Sequence, residues 1–93
     1  MLEKQIEAKA GKLCKERGVL FYKFVSPSHR GVPDRILIFP NGQVVFCEFK
    51  NEKGVPTALQ LLEQKRLSNN RAKVVMFYDY ESFADWFDWQ FKL

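Results

Sequence analysis

The sequence predicts a single α/β domain over residues 1–93, with a central mixed sheet flanked by helices in the order α-β-β-β-α-β-α. Three observations point there. Arg35-Ile36-Leu37-Ile38-Phe39 and Val44-Val45-Phe46-Cys47 are apolar on both faces, as central strands covered on both sides should be. The turn Pro40-Asn41-Gly42 between them makes a hairpin, which must be antiparallel. A helical stretch then separates them from another apolar run, Val74-Val75-Met76-Phe77-Tyr78, which can return parallel by a right-handed crossover.

The other elements follow in order. Residues 2–17 carry Leu2, Ile6, Ala10, Leu13 and Cys14 at helical spacing, with Gly18 as a stop. Leu20-Phe21-Tyr22-Lys23-Phe24-Val25 is aromatic and apolar and reads as a strand. Residues 26–33, with two prolines, a glycine and two serines, form a loop. Pro56 precedes a helix running to about Asn70, and residues 81–91 make the last helix. That helix lines up Phe83, Trp86, Phe87 and Phe91 with Trp89 beside them, an arc wider than one buried stripe requires. Most of it is expected in the core and part at a homodimer contact.

Nine Phe and two Trp in 93 residues indicate a globular chain rather than a disordered one. A chain of this length buries roughly 60–70% of its unfolded surface. No apolar run approaches the roughly 20 residues of a membrane span. Met1-Leu2-Glu3-Lys4-Gln5 lacks the apolar centre of a signal peptide, so the expected location is cytoplasmic. Cys14 and Cys47 stand alone without zinc or redox spacing and are expected as buried free thiols.

The net charge of +4 sits unevenly. Residues 1–56 hold ten Lys/Arg against six Asp/Glu, whereas residues 57–93 balance five against five. A polyanion is the fitting partner, although a solvated basic face would give the same sums.

The hairpin's register decides whether its carboxylates meet. A two-residue Asn-Gly turn would place Asp34 opposite Phe49 and leave Asp34 and Glu48 on opposite faces. A three-residue loop, with Pro40 and Asn41 as a type I turn and Gly42 left-handed, pairs Asp34 with Glu48. The second is preferred, because Pro40 has the φ of the first turn position and a loop residue need not donate to the ladder. Directly opposed carboxylates repel or share a proton unless a cation lies between them. Lys50, two residues beyond Glu48, falls on the same face.

At these residues the chain resembles the PD-(D/E)xK nuclease superfamily, in its VRR-NUC branch, over nearly its whole length. Arg30-Gly31-Val32-Pro33-Asp34-Arg35-Ile36 is similar to that family's rGvPDrl segment, and Val45-Phe46-Cys47-Glu48-Phe49-Lys50 to its E-x-K strand. Thr57-Ala58-Leu59-Gln60 resembles its Ser/Thr-x-x-Gln helix start.

The resemblance implies a restriction-endonuclease-like core. It also implies metal ligation of Mg²⁺ or Mn²⁺ by Asp34, Glu48 and the Phe49 backbone carbonyl. Lys50 would orient or help deprotonate water and stabilise charge on the phosphate, with Gln60 at the edge of the site. A glutamate on the first helix would approach the metal. Glu7 is preferred to Glu3, because Ala10, Gly11 and Cys14 share its face and Gly11 permits close approach to the sheet. Thr57 and Gln60 also form a capping box, which needs no catalysis. Lys23, Arg30 and Lys53 are candidate DNA contacts, whereas His29 lacks an orienting partner nearby in sequence.

The implied function is metal-dependent, structure-specific DNA endonuclease activity on branched DNA such as four-way (Holliday) junctions, performed by a homodimer. The alternatives are a non-catalytic DNA-binding module of the same fold, or a nuclease acting on RNA or linear duplex.

Overall fold

The computed structural model describes residues 1–93. In chain order its elements are α1 (Glu3–Glu16), β1 (Leu20–Lys23), β2 (Arg35–Ile38), β3 (Val44–Phe49), α2 (Ala58–Asn69), β4 (Lys73–Phe77) and α3 (Tyr80–Gln90). Order and boundaries agree with the sequence pattern to within about two residues. The strands form one sheet in the order β1-β2-β3-β4. Its first three strands are antiparallel, and β4 returns parallel to β3 through α2. The sheet is therefore mixed.

The hairpin adopts the three-residue register. Ile38 pairs with Val44 and Ile36 with Phe46. The Phe39 amide donates to the Gln43 carbonyl and the Gly42 amide to the Phe39 carbonyl, both at 2.9 Å. Gly42 has φ +89°, a conformation that side chains with a Cβ rarely adopt. One step beyond the Arg35–Cys47 pair, the same ladder sets Asp34 opposite Glu48.

Strand alternation gives the sheet two unlike faces. On one, Leu37, Phe39, Val45, Cys47, Phe49 and Phe77 meet Ile6, Ala10 and Cys14 of α1 and Phe83 and Phe87 of α3, all buried. Phe83 sits within an aromatic cluster, its ring centroid 5.3–5.5 Å from Phe49, Phe77 and Phe87. Burying one such ring stabilises the fold by about 1.5–3 kcal/mol. Trp86 and Phe91 pack at the margin of the cluster, and Trp89 is exposed. The α3 aromatics are thus core, as expected, apart from that one indole. Cys14 and Cys47 are both free and buried there, and burial pushes the Cys14 thiol up to about 12.

The other face departs from expectation. Among the strands, α2 packs against β4 alone. Leu59, Leu61 and Leu62 point outward from it and Glu63 is its one buried residue, so α2 offers no apolar stripe wide enough to cover the hairpin. Leu20, Tyr22 and Val44 are consequently 46%, 53% and 43% exposed. The hairpin is central, and its second side is only partly covered: Ile36, Ile38 and Phe46 are half-buried there, with Phe24 packed on Phe46. Likewise β4 is a half-buried edge strand rather than a fully buried one.

Candidate active site

Asp34 and Glu48 lie on the face away from α1 and α3, at the ends of paired strands. Each is held by rigid neighbours. The loop entering Asp34 contains the fully buried Pro33. At Gly31, φ is +91° and a Cβ would stand 2.5 Å from the Leu59 carbonyl oxygen, so only glycine lets the loop lie against the first turn of α2. The Phe24 amide donates to the Asp34 carbonyl at 2.7 Å, extending the β1–β2 ladder to the carboxylate. Glu48 stands between Cys47 and Phe49, whose side chains point into the core and fix the backbone on both sides of it.

Carboxylate oxygens of Glu3, Asp34 and Glu48 all lie within 4.8 Å of one another. Glu48 is 2% exposed, and its Oε1 is buried with no hydrogen-bond partner. Burial pushes the Glu48 carboxyl from 4.5 up to about 7; the Asp34 charge adds to the rise, and Lys50 opposes it. A buried acceptor without a donor, crowded by like charges, is unfavourable in a bare protein.

Lys50 follows on the same face. Its amide donates to the Phe77 carbonyl at 2.9 Å, anchoring it to β4. Its stem is confined by a turn in which the Gly54 amide donates to the Asn51 carbonyl at 2.8 Å and the Lys53 amide to Asn51 Oδ1 at 2.9 Å. A Cβ at Gly54 would stand 3.0 Å from Lys50 Cβ, so this glycine shapes the lysine's surroundings. Asn51 and Gly54 belong to none of the motifs that mark this site in the sequence.

The first-helix glutamate differs from expectation. Glu3, and not Glu7, joins Asp34 and Glu48. Glu7, one turn further along, accepts from Arg35 Nη2 at 2.7 Å. The cause is alternation: Arg35 follows Asp34 and therefore projects to the opposite face, where α1 lies. Gly11 does permit the close approach it suggested, since a Cβ there would stand 3.1 Å from the Phe21 ring. Gln5 Oε1 accepts from the Leu2 amide at 2.8 Å, closing the helix start beside Glu3.

Gln60 forms the capping box with Thr57: the Thr57 amide donates to Gln60 Oε1 at 2.9 Å and the Gln60 amide to Thr57 Oγ1 at 3.1 Å. Its amide oxygen is thereby occupied at the helix start. Lys53 is exposed on the turn after Lys50, and Arg30 is exposed in the loop before Asp34. Lys23 pairs with Arg35 in the ladder and so projects toward the α1 side rather than with the carboxylates. His29 has the partner its local sequence lacks: its Nε2 contacts Glu63, the buried carboxylate of α2, 34 residues along the chain.

No family model matches the chain. A curated relative, "Putative nuclease p44" of Acyrthosiphon pisum secondary endosymbiont phage 1, is 44% identical over 66 residues, covering 71% of this chain and 67% of the relative. A solved structure described as a VRR_NUC domain is similar at TM-score 0.86 and 25% identity, across 92% of this chain and 94% of that one. This chain belongs to the VRR-NUC family. The VRR-NUC fold generally uses divalent metals, and the residues present fit one. Three oxygen donors within reach of a single point, one of them buried without a hydrogen, suit a hard divalent cation.

Proposed function

We propose that this VRR-NUC chain is a metal-dependent DNA endonuclease that hydrolyses phosphodiester bonds in branched DNA, such as four-way junctions. The observation that carries this is the buried, unpartnered Oε1 of Glu48 within the Glu3–Asp34–Glu48 cluster, with Lys50 on the same face. Glu3, Asp34 and Glu48 would hold Mg²⁺ or Mn²⁺, and the Phe49 carbonyl, between Glu48 and Lys50, is a further candidate donor. When bound, the cation polarises a phosphate oxygen and lowers the pKa of bound water. Lys50 supplies a fixed positive charge where negative charge grows on the phosphate, and orients the attacking water. Asp34 and Glu48 serve as ligands only when ionised, so the high Glu48 pKa makes proton release part of metal binding. Arg30 and Lys53 contact backbone phosphates, positioning the substrate without reading its sequence. Gln60 borders the site as part of the α2 start. The lack of any paired Ser/His or Cys/His side chains supports direct attack by water over a covalent route.

Pairing of two active sites on one junction would come from a homodimer. The partly open face of β1, β2 and β3 supports it better than α3 does, because Leu20, Tyr22 and Val44 lie exposed there while Trp89 is the one exposed aromatic of α3. Light scattering at micromolar concentration should give about twice 11.0 kDa.

The test is a cleavage panel of four-way junction, flap, single-stranded, linear duplex and RNA substrates with Mg²⁺ or Mn²⁺. Wild-type protein should cut the junction fastest and stop in EDTA. Lys50→Ala should lose about 10²–10³-fold in cleavage rate while retaining DNA binding. Unchanged cleavage by Lys50→Ala overturns the mechanism. Faster cutting of linear duplex or RNA reassigns the substrate, and binding without cleavage under every condition makes the chain a DNA-binding module.

A further inference from the structure

We infer that Arg35 is a positioning residue for the metal centre: by holding Glu7 it fixes the placement of α1 that keeps Glu3 beside Asp34 and Glu48. This rests on the reading of that cluster as a cation site.

Three contacts carry the inference. Arg35 Nη2 donates to Glu7 Oε1 at 2.7 Å, and the pair is largely buried, with the two side chains 21% and 22% exposed. The guanidinium lies 4.6 Å from the centre of the Phe21 ring. That ring in turn occupies the space a Cβ on Gly11 would crowd, at 3.1 Å. Arg35 therefore joins the middle of α1 to the edge strand β1, while Ile6 and Ala10 seat the same helix in the core.

Arg35 is poorly placed to act otherwise. Alternation turns it away from the face that bears Asp34, Glu48 and Lys50, so it does not reach a phosphate there. Its Nε is buried without an acceptor, which leaves Glu7 as its one hydrogen-bonded side-chain partner. Glu3 is one helical turn before Glu7, so the two carboxylates sit on the same side of α1. Setting Glu7 along the sheet sets Glu3. Without a cation the three clustered carboxylates repel, and the start of α1 needs an opposing restraint to stay over them. The Asp34-Arg35 dipeptide thus contributes one ligand directly and positions a second through the helix.

The experiment measures Mn²⁺ binding to the full chain at pH 8, by the electron paramagnetic resonance signal of free Mn²⁺. The variants are Arg35→Met, Glu7→Gln and both together, each also made with Glu3→Gln. Arg35→Met and Glu7→Gln should each weaken Mn²⁺ binding about tenfold, and the pair should be no worse than either alone. With Glu3→Gln in place, Arg35→Met should add no further loss. Arg35→Lys, which can still meet Glu7 but cannot present a planar fork, should fall between and serves where Arg35→Met does not fold by circular dichroism. An equal loss from Arg35→Met with or without Glu3 overturns the inference, since the effect is then general distortion. So does a further loss from Glu7→Gln in the Arg35→Met protein, which would make Glu7 itself a ligand. Normal Mn²⁺ affinity in Arg35→Met overturns it as well. Absence of Mn²⁺ binding by the wild-type chain instead removes the cation-site reading on which the inference stands.

Discussion

The two faces of the sheet are built to opposite rules. Toward α1 and α3, the centre of the sheet is apolar and closed, with Phe83 packed against Phe49, Phe77 and Phe87. Away from them, the same strands carry exposed Leu20, Tyr22 and Val44 and end in Asp34 and Glu48, which Glu3 of α1 joins, with Glu48 Oε1 buried without a hydrogen-bond partner. The first face supplies stability. The second retains an electrostatic conflict that a folding argument alone cannot explain, and such conflicts concentrate where chemistry is done. The closed face holds the unfavourable one in place: Cys47 and Phe49 are the core residues on either side of Glu48.

Substitutions on each side sharpen this contrast. The largest stability effect should come from the closed face: Phe83→Ala should destabilise by about 3–5 kcal/mol in urea unfolding, because neighbouring rings cannot fill the cavity. On the other face, Glu48→Gln should stabilise the metal-free protein at neutral and higher pH. The sign follows from the folded pKa of about 7 lying above the ordinary 4.5. The protonated acid favours the fold, so the Glu48 contribution to wild-type stability is greatest below 4.5 and declines until pH passes about 7, by up to about 3 kcal/mol. Glu48→Gln should flatten that decline, and Mg²⁺ added to the wild type at pH 8 should offset it. A stability difference between wild type and Glu48→Gln that stays constant from pH 4.5 to 7.5 would show that Glu48 ionises without penalty.

Gly31→Ala tests the clamp between the Asp34 loop and α2. The new methyl would meet the Leu59 carbonyl at 2.5 Å in a left-handed backbone, so a loss of about 1–3 kcal/mol is expected by thermal melting, together with weaker Mn²⁺ binding. The smallest effect belongs to the open face: Tyr22→Lys should change monomer stability by no more than about 0.5 kcal/mol. Its consequence should appear in light scattering, as a shift toward the monomer. A Tyr22→Lys loss as large as that of Phe83→Ala would mean the two faces do not differ in the way described.

Much of this contrast was legible in the sequence. Helical spacing from Leu2 to Cys14, the aromatic run of α3 and the β-rich hairpin strands each have a period set by local geometry, so their elements follow directly. The hairpin register was legible too, because Pro40 and Gly42 have backbone preferences that favour one loop length, and that register carried Asp34 to Glu48. Coverage of the sheet was not. Apolar residues on both sides of β2 and β3 read as two-sided burial, yet whether α2 reaches them depends on where its leucines turn after the crossover. The Glu3–Glu7 choice was equally closed to sequence, since both lie on the same side of α1 and Arg35 captures one of them across the sheet. His29 found its partner in Glu63 for the same reason: a contact between a loop and a helix 34 residues apart leaves no local signal.

By itself the chain therefore determined its elements, their order, and the pairing of Asp34 with Glu48, because turn chemistry and side-chain period act between near neighbours. The tertiary structure decided which α1 carboxylate completes the cluster, how deeply Glu48 is desolvated, and which half of the sheet stays open. Those depend on helix placement against the sheet, where packing and charge pairing among distant residues outweigh local preference.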